Sequence, residues 1–201
     1  MESNLKRLLT CTRLFFCTLL YLPHLFLFYN HRNRKIIEAD TKRWLDIIQL
    51  NYKATKGFIY LLANYPEFRN LFYYRVGMPG KLLNIICPKM STLFITTDSI
   101  GEGLFIQHGF ATIIAAKSIG KNCWINQQVT IGFSNKNDCP VIKDNVTINA
   151  GAKVIGAVVV GNNSQVGANA VVVKNVPDNC VVVGVPAYIV KRDGIKVKEP
   201  L

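Results

Sequence analysis

The C-terminal half of the chain carries a hydrophobic pattern with a period of six residues. Aliphatic side chains recur at every sixth position, and each is followed four positions later by a small or β-branched residue. The aliphatic positions are Ile142, Ile148, Val154, Val160, Val166 and Val172, and the second set is Val146, Ala152, Val158, Ser164, Ala170 and Val176. Neither a helix of 3.6 residues per turn nor a simple alternating strand explains a strict period of six over this length. The pattern therefore predicts a solenoid of very short strands joined by tight turns.

Two irregularities in this period single out candidate functional segments. The same phase occurs upstream at Ile100, Ile106 and Thr112, slips by one residue, and resumes at Ile119, Ile125 and Ile131. The slip predicts a bulge near His108. Eleven positions separate Ile131 from Ile142, which predicts that the segment FSNKNDCP is a loop that leaves the solenoid. Loops that leave a rigid scaffold often carry binding or catalytic residues.

Residues 36–74 have the spacing of amphipathic helices. One helical stripe would contain Ile37, Trp44, Leu45 and Ile48. A second apolar pattern follows, with a break at Pro66, so we expect two or three helices. The segment GMPGKLLNIICPKMS is rich in Gly and Pro, and it marks the passage to the solenoid.

Residues 14–29 are almost wholly apolar and precede a basic cluster at residues 32–35. A helix of this length spans about 24 Å, which is shorter than a bilayer core needs. Pro23 and His24 interrupt the run and no small-residue cleavage site follows, so a spanning helix and a signal peptide are both disfavoured. Two alternatives stay open: peripheral contact of residues 14–35 with the cytoplasmic face of the inner membrane, or helices packed within an oligomer.

Composition limits the other possibilities. The chain of 201 residues is 50% hydrophobic, enough for a compact core, and has a formal net charge of +12. Residues 1–90 hold 14 Lys and Arg against 5 Asp and Glu, but no nucleic-acid-binding motif accompanies this charge. Six scattered cysteines favour neither a zinc site nor a disulfide scaffold, and we expect a cytoplasmic protein. We predict a helical, basic region over residues 1–90, the solenoid over 91–190 and a tail over 191–201.

Three blocks of sequence, IGEGLFIQHG, PVIKDNVTINAGAKVIG and VVVGVPAYIVKR, occur in this order. Together they resemble the hexapeptide-repeat acyltransferases, nearest to serine acetyltransferase and the bacterial polysaccharide O-acetyltransferases. The resemblance implies a mainly β protein: a left-handed parallel β-helix with a small helical N-terminal region. It also implies acetyl-CoA as the acetyl donor, no metal, and a closed homotrimer with its sites between subunits.

The resemblance places His108 at the position of the family's general base. A neutral imidazole, with an ordinary pKa near 6.5, can take the proton of an attacking hydroxyl and return it to the leaving thiolate. Main-chain N–H groups or the side chains of Gln127 or Gln128 could stabilise the oxyanion, and the sequence does not choose between them.

Five further positions match those that contact CoA in the family: Ala150, Ala168, Val173, Lys174 and Lys191. Small residues at solenoid corners would let the pantetheine arm approach the main chain, and a lysine can neutralise a phosphate as a point charge. The alternative is that the alanines serve only the repeat geometry and the lysines are solvated surface charges.

The chain departs from serine acetyltransferases in three places. It has Gln107 where they have an aspartate before the base, and Asp138, Cys139 and Pro140 where they have Arg-His-Pro. A further aspartate, which orients their histidine, would align near Leu93. Free serine carries an ammonium and a carboxylate, and both charges need a complement that these positions lack.

These departures favour a different acceptor, a sugar hydroxyl on a surface-polysaccharide precursor. Amide side chains suited to sugar hydroxyls surround the predicted site, at Asn126, Gln127, Gln128, Asn135 and Asn137. Serine O-acetylation is the alternative, because the charges could come from other residues. A noncatalytic scaffold is a third possibility, which His108 and the GVPA block disfavour. A γ-type carbonic anhydrase would need three histidines for zinc, and residues 91–201 contain only His108.

Overall fold

The computed structural model describes residues 20–136 and 138–201, which fall into two compact units. The N-terminal unit ends at Lys89, and the second extends from Met90 to Leu201. Residues 14–19 of the apolar segment and the candidate Asn137 lie outside the described residues.

The described part of the N-terminal unit is helical. It contains α1 (Leu22–Asn30), α2 (Arg34–Ile47), α3 (Ala54–Asn64), α4 (Pro66–Val76) and α5 (Met78–Ile86). Pro23, Pro66 and Pro79 each lie in the first turn of a helix, where the missing N–H of proline costs nothing.

Helix α5 lies in the Gly- and Pro-rich segment, where the sequence predicted only a passage between architectures. The Gly and Pro residues gave no sign of this helix, since two of them have other roles in the structure. Pro79 starts the helix. A Cβ atom at Gly80 would lie 2.8 Å from the Tyr73 Cα, so the glycine permits α5 to pack closely on α4.

The core of the helical unit is aromatic. Phe28 of α1 stacks on Phe58 of α3 with 4.4 Å between ring centroids, and Trp44 of α2 meets Phe68 of α4 edge to face at 5.2 Å. The predicted stripe of α2 faces this core: Ile37, Trp44 and Leu45 are buried, and Ile48, just past the helix, is half-buried.

Across residues 20–136 and 138–201, no helix has both the length and the apolar content that crossing a bilayer would require.

The second unit is a parallel β-solenoid with three sheets. Sheet 1 contains β1 (Leu93–Ile95), β4 (Thr112–Ile114), β7 (Thr130–Gly132), β10 (Lys153–Ile155) and β13 (Val171–Val172). Sheet 2 contains β2 (Ser99–Ile100), β5 (Ser118–Ile119), β8 (Val141–Ile142) and β11 (Val159–Val160). Sheet 3 contains β3 (Phe105–Ile106), β6 (Trp124–Ile125), β9 (Thr147–Ile148), β12 (Gln165–Val166) and β14 (Cys180–Val183). Each of the first four coils contributes one strand in turn to all three sheets, and the last coil contributes β13 to sheet 1 and β14 to sheet 3.

The six-residue period is confirmed, because both sets of positions in it point into the solenoid. All six aliphatic residues from Ile142 to Val172 are buried, and so are the six small partners from Val146 to Val176. Residues of successive coils stack in register, as Ile131, Val154 and Val172 do in sheet 1.

The predicted bulge near His108 is confirmed, and the strand register shows its size. Ile114 pairs with Ile131 of the next coil. Eight positions therefore separate the inward residues Ile106 and Ile114, against six from Ile125 to Ile131. The corner between β3 and β4 is two residues longer than the corner between β6 and β7 in the next coil. The corner that follows, between β4 and β5, is one residue shorter than the six-residue period requires.

Residues 191–201, set apart in the sequence as a tail, complete β15 (Tyr188–Arg192) and form β16 (Ile195–Pro200). The two strands run antiparallel and extend sheet 3 from β14.

Candidate active site

His108 lies in the widened corner between β3 and β4. Its φ angle is +62° and that of Ala111 is +50°, left-handed values that cost a non-glycine residue about 1 kcal/mol each. The main-chain N–H of Phe110 donates to the His108 oxygen at 2.6 Å and closes the turn. The imidazole is exposed, and it has no hydrogen-bond partner within residues 20–136 and 138–201. It is therefore free to accept a proton from a bound molecule.

The corners between sheets 3 and 1 stack on one another and form one edge of the solenoid, here called the His108 edge. The N–H of Gln128 donates to the Phe110 oxygen at 3.0 Å, and the next corners repeat this bond from Gly151 to Gln127 at 3.0 Å and from Asn169 to Ala150 at 2.9 Å. The structure thus brings His108, Gln127, Ala150 and Ala168 together along this edge. The two methyl side chains leave the main chain accessible to an extended molecule.

Lys153 adds a cation to the His108 edge. Its Nζ donates to the main-chain oxygen of Gln128 at 2.6 Å. Lys153 is the first residue of β10, and it reaches Gln128 only because the preceding coil lies beside its own. The sequence did not single it out, since nothing in the local pattern indicates that contact.

Gln107 and Trp124 form a second feature that only the structure shows. The indole Nε1 of Trp124 lies 3.2 Å from Oε1 of Gln107. An indole N–H can only donate, so the carbonyl end of Gln107 faces Trp124 and its amide nitrogen is turned away. The residue before His108 therefore offers hydrogen-bond donors, where the resembling enzymes have a carboxylate. Trp124 is itself held edge to face against Phe105, with 4.8 Å between centroids.

The loop predicted between β7 and β8 is present, and Asp138 organises it. Its Oδ1 accepts hydrogen bonds from the N–H groups of Ser134 at 2.8 Å and Asn135 at 2.9 Å, and its Oδ2 contacts the Ser134 hydroxyl. Hydrogen bonds from the Ser134 side chain and the Asn135 main chain hold the pKa of Asp138 below its usual range. Asp138 is therefore a carboxylate anion at neutral pH. The neighbouring Cys139 is half-buried.

Comparison with known proteins agrees with this geometry. Residues 139–174 match the family model "Bacterial transferase hexapeptide (six repeats)". A serine acetyltransferase of Synechococcus elongatus is 34% identical over 162 residues, which cover 74% of this chain and 66% of that protein. One from Staphylococcus aureus is 46% identical over 102 residues, 49% of this chain and 48% of that protein. The crystal structure of Neisseria gonorrhoeae serine acetyltransferase superposes with a TM-score of 0.64 at 27% identity and covers 84% of this chain and 69% of that one.

The family model, the relatives and the superposed structure all fit a hexapeptide-repeat acetyltransferase of the serine acetyltransferase type. This confirms the expected fold, a left-handed β-helix with a small helical N-terminal region. The chain spans 66% of the Synechococcus protein and about half of the staphylococcal one, 48%.

The prediction that the acceptor is a sugar hydroxyl was wrong. The predicted link to polysaccharide synthesis was wrong as well. The relatives and the superposed structure are named serine acetyltransferases. The prediction counted charges missing from two short motifs, but complementary charges can come from elsewhere in a fold. Lys153, on the His108 edge, is a charge that lies outside those motifs.

The remaining predicted CoA positions of this acyltransferase lie away from the His108 edge. Val173 and Lys174 follow β13 at the corner between sheets 1 and 2. With Pro186, Ala187, Tyr188, Pro200 and Leu201 they line a cavity of about 170 Å³. Lys174 Nζ donates to the main-chain oxygen of Leu201 at 2.8 Å. Lys191 is exposed on β15. The six predicted site residues therefore do not lie together in one chain. They occupy different corners and strands of the solenoid.

Proposed function

We propose that this chain transfers the acetyl group of acetyl-CoA to the hydroxyl of L-serine, giving O-acetylserine and CoA. The observation that carries the proposal is the exposed imidazole of His108, with no partner among the described residues, at a strained corner of the solenoid. Support for serine as the acceptor comes from relatives with that name, at 34% and 46% identity.

The reaction needs one group that both takes and returns a proton. Neutral His108 accepts the proton of the serine hydroxyl as its oxygen attacks the thioester carbonyl carbon. The resulting oxyanion collapses, the carbon–sulfur bond breaks, and the imidazolium protonates the departing thiolate to give the free thiol of CoA. Donors on the His108 edge, including the amide of Gln127, are candidates to stabilise the oxyanion.

The residues proposed to bind CoA are those predicted from the sequence: Ala150, Ala168, Val173, Lys174 and Lys191. The first two fit the pantetheine arm, since they present only methyl groups on the His108 edge. Lys174 and Lys191 would neutralise phosphates. CoA binding at Lys174 would replace the bond that its ammonium now makes to Leu201.

We also propose that the working form is a homotrimer. Phe94 and Ile113 are paired in adjacent strands of sheet 1 and point outward, with exposed fractions of 55% and 43%. Phe110, beside His108, is exposed as well. Burying this apolar surface between copies would stabilise a closed assembly. It would also bring the His108 edge of one copy close to a neighbour, which could supply charges for the serine.

The test is release of CoA thiol from acetyl-CoA by the purified full chain with L-serine as acceptor. L-Alanine, which has the same charges but no hydroxyl, is the control acceptor. We expect His108→Ala to lower kcat by roughly a hundredfold or more while the circular dichroism spectrum is unchanged. His31→Ala, the same substitution in the helical unit, should keep full activity.

Two results would overturn the proposal. One is the absence of serine-dependent thiol release by the unmodified chain at millimolar serine. The other is near-normal turnover by folded His108→Ala, which would remove His108 as the base.

A further inference from the structure

Helix α1 has two apolar stripes, and within residues 20–89, the described part of its unit, only one of them is buried. Tyr21, at the helix N-cap, and Phe28 are buried against the core. Leu22, Phe26 and Tyr29 recur at spacings of four and three along the opposite face, and all three are exposed, Phe26 to 66%. A surface helix of a soluble unit normally carries polar residues on this face.

Helix α5 repeats this arrangement. Gly80 and Leu83 face the core. Met78, Leu82 and Ile85 form an exposed stripe with the same four-and-three spacing, and Leu82 and Ile85 are exposed to 70% and 79%.

Both helices make contacts at Tyr73 of α4. The Tyr73 hydroxyl is 3.0 Å from Nε2 of His24 in α1 and donates to the Cys87 oxygen after α5 at 2.7 Å. The Tyr21 hydroxyl lies 3.5 Å from the Cys87 sulfur. The helices that carry the two exposed stripes therefore meet at Tyr73 and Cys87.

The charged residues close to the two stripes in the sequence have one sign. Residues 20–35 and 77–90 contain five Lys and Arg and no Asp or Glu. Arg34 pairs with Glu38 from the next turn. The other four, Arg32, Lys35, Lys81 and Lys89, are exposed. Apolar side chains bordered by cations complement a lipid surface with anionic head groups.

We infer that the exposed faces of α1 and α5 dock this chain on an anionic lipid bilayer. The apolar stripes would enter the boundary between head groups and acyl chains, and the four cations would meet lipid phosphates. A second copy of this chain is a poorer occupant, since it would bring two cationic surfaces together. The inference concerns the helical unit alone and does not rest on the acetyl-transfer activity.

The test is flotation of the full chain with vesicles of about one third phosphatidylglycerol in phosphatidylcholine, beside vesicles of phosphatidylcholine alone. We expect binding to the anionic vesicles, weakened when salt is raised from about 0.1 M to about 0.5 M. The double substitution Phe26→Asn with Ile85→Asn should lower the partition coefficient at least tenfold, since each side chain enters the lipid.

Matched variants separate a specific surface from general stickiness and charge. Ile195→Asn removes an equally exposed aliphatic side chain from β16 and should bind as the unmodified chain does. Arg32→Gln with Lys35→Gln should reduce anionic binding severalfold. Lys196→Gln with Lys198→Gln, the same change of charge on β16, should reduce it less. Serine-dependent thiol release without vesicles should be the same in all of these variants.

Equal binding to both kinds of vesicle, or to neither, would overturn the inference. So would normal anionic binding by the Phe26 and Ile85 double variant. If that variant instead has a lower mass in sedimentation while vesicle binding is unchanged, the surface is an interface between copies of the chain.

Discussion

At the scale of the residue, the site is defined by two neighbours with different constraints. His108 has a left-handed main chain, and its ring has no hydrogen-bond partner in the described part of the chain, which suits a base that meets its substrate from solution. Gln107 is held by Trp124 and offers donors where related enzymes have an acceptor. A donor complements the carboxylate of serine, not its ammonium.

This difference predicts that Gln107 helps to bind the acceptor. Gln107→Leu should raise KM for serine about tenfold, because a hydrogen bond to a charged group is lost, and leave KM for acetyl-CoA unchanged. Trp124→Phe should have a smaller effect of the same kind, since it frees the amide to rotate. Gln165→Leu, on the same sheet, is the control. Equal increases in both KM values would show a general disturbance of the site.

At the scale of the element, α1, α4 and α5 meet at Tyr73, and the histidine of α1 that contacts Tyr73 is kept neutral by the fold. His24 is fully buried beside Tyr73. Burial, with a smaller contribution from Arg69, lowers the pKa of His24 to about 4 from 6.5. The unfolded chain therefore takes up the proton first as the pH falls, and the helical unit loses stability from about pH 6.5 downward.

We expect this loss to reach about 2 kcal/mol between pH 7 and pH 5. Trp44 lies in the helical unit and Trp124 in the solenoid, so urea unfolding of Trp124→Phe, followed by fluorescence, reports on the helical unit alone. Adding His24→Gln should flatten the pH dependence, because the amide can still bind Tyr73 without titrating. An unchanged slope would mean that other groups carry the effect.

At the scale of the whole molecule, the outward apolar pair on sheet 1 predicts that assembly and activity are linked. Ile113→Glu should lower the mass of the proposed trimer to that of a single chain, because a carboxylate cannot be buried unpaired beside Phe94. Turnover should fall with it. Light scattering and thiol release measure the two effects, and Ile195→Glu on β16 is the control. A fully active single chain would separate activity from assembly.

The sequence determined the solenoid, because burial of an aliphatic residue at every sixth position is a local requirement that repeats. Ile142 to Val172 follow it without exception, and its interruptions located both the loop around Asp138 and the bulge beside His108. The role of His108 came from resemblance to a family.

Tertiary structure decided what depends on residues far apart in the chain. The contact of Gln107 with Trp124 and that of Lys153 with Gln128 require the register of adjacent coils, which is set by the length of each corner. Helix α5 can pack closely on α4 because Gly80 fits against Tyr73. The exposed stripes could not be distinguished from buried ones by sequence, since both are apolar with helical spacing, and only packing shows which stripe the core covers.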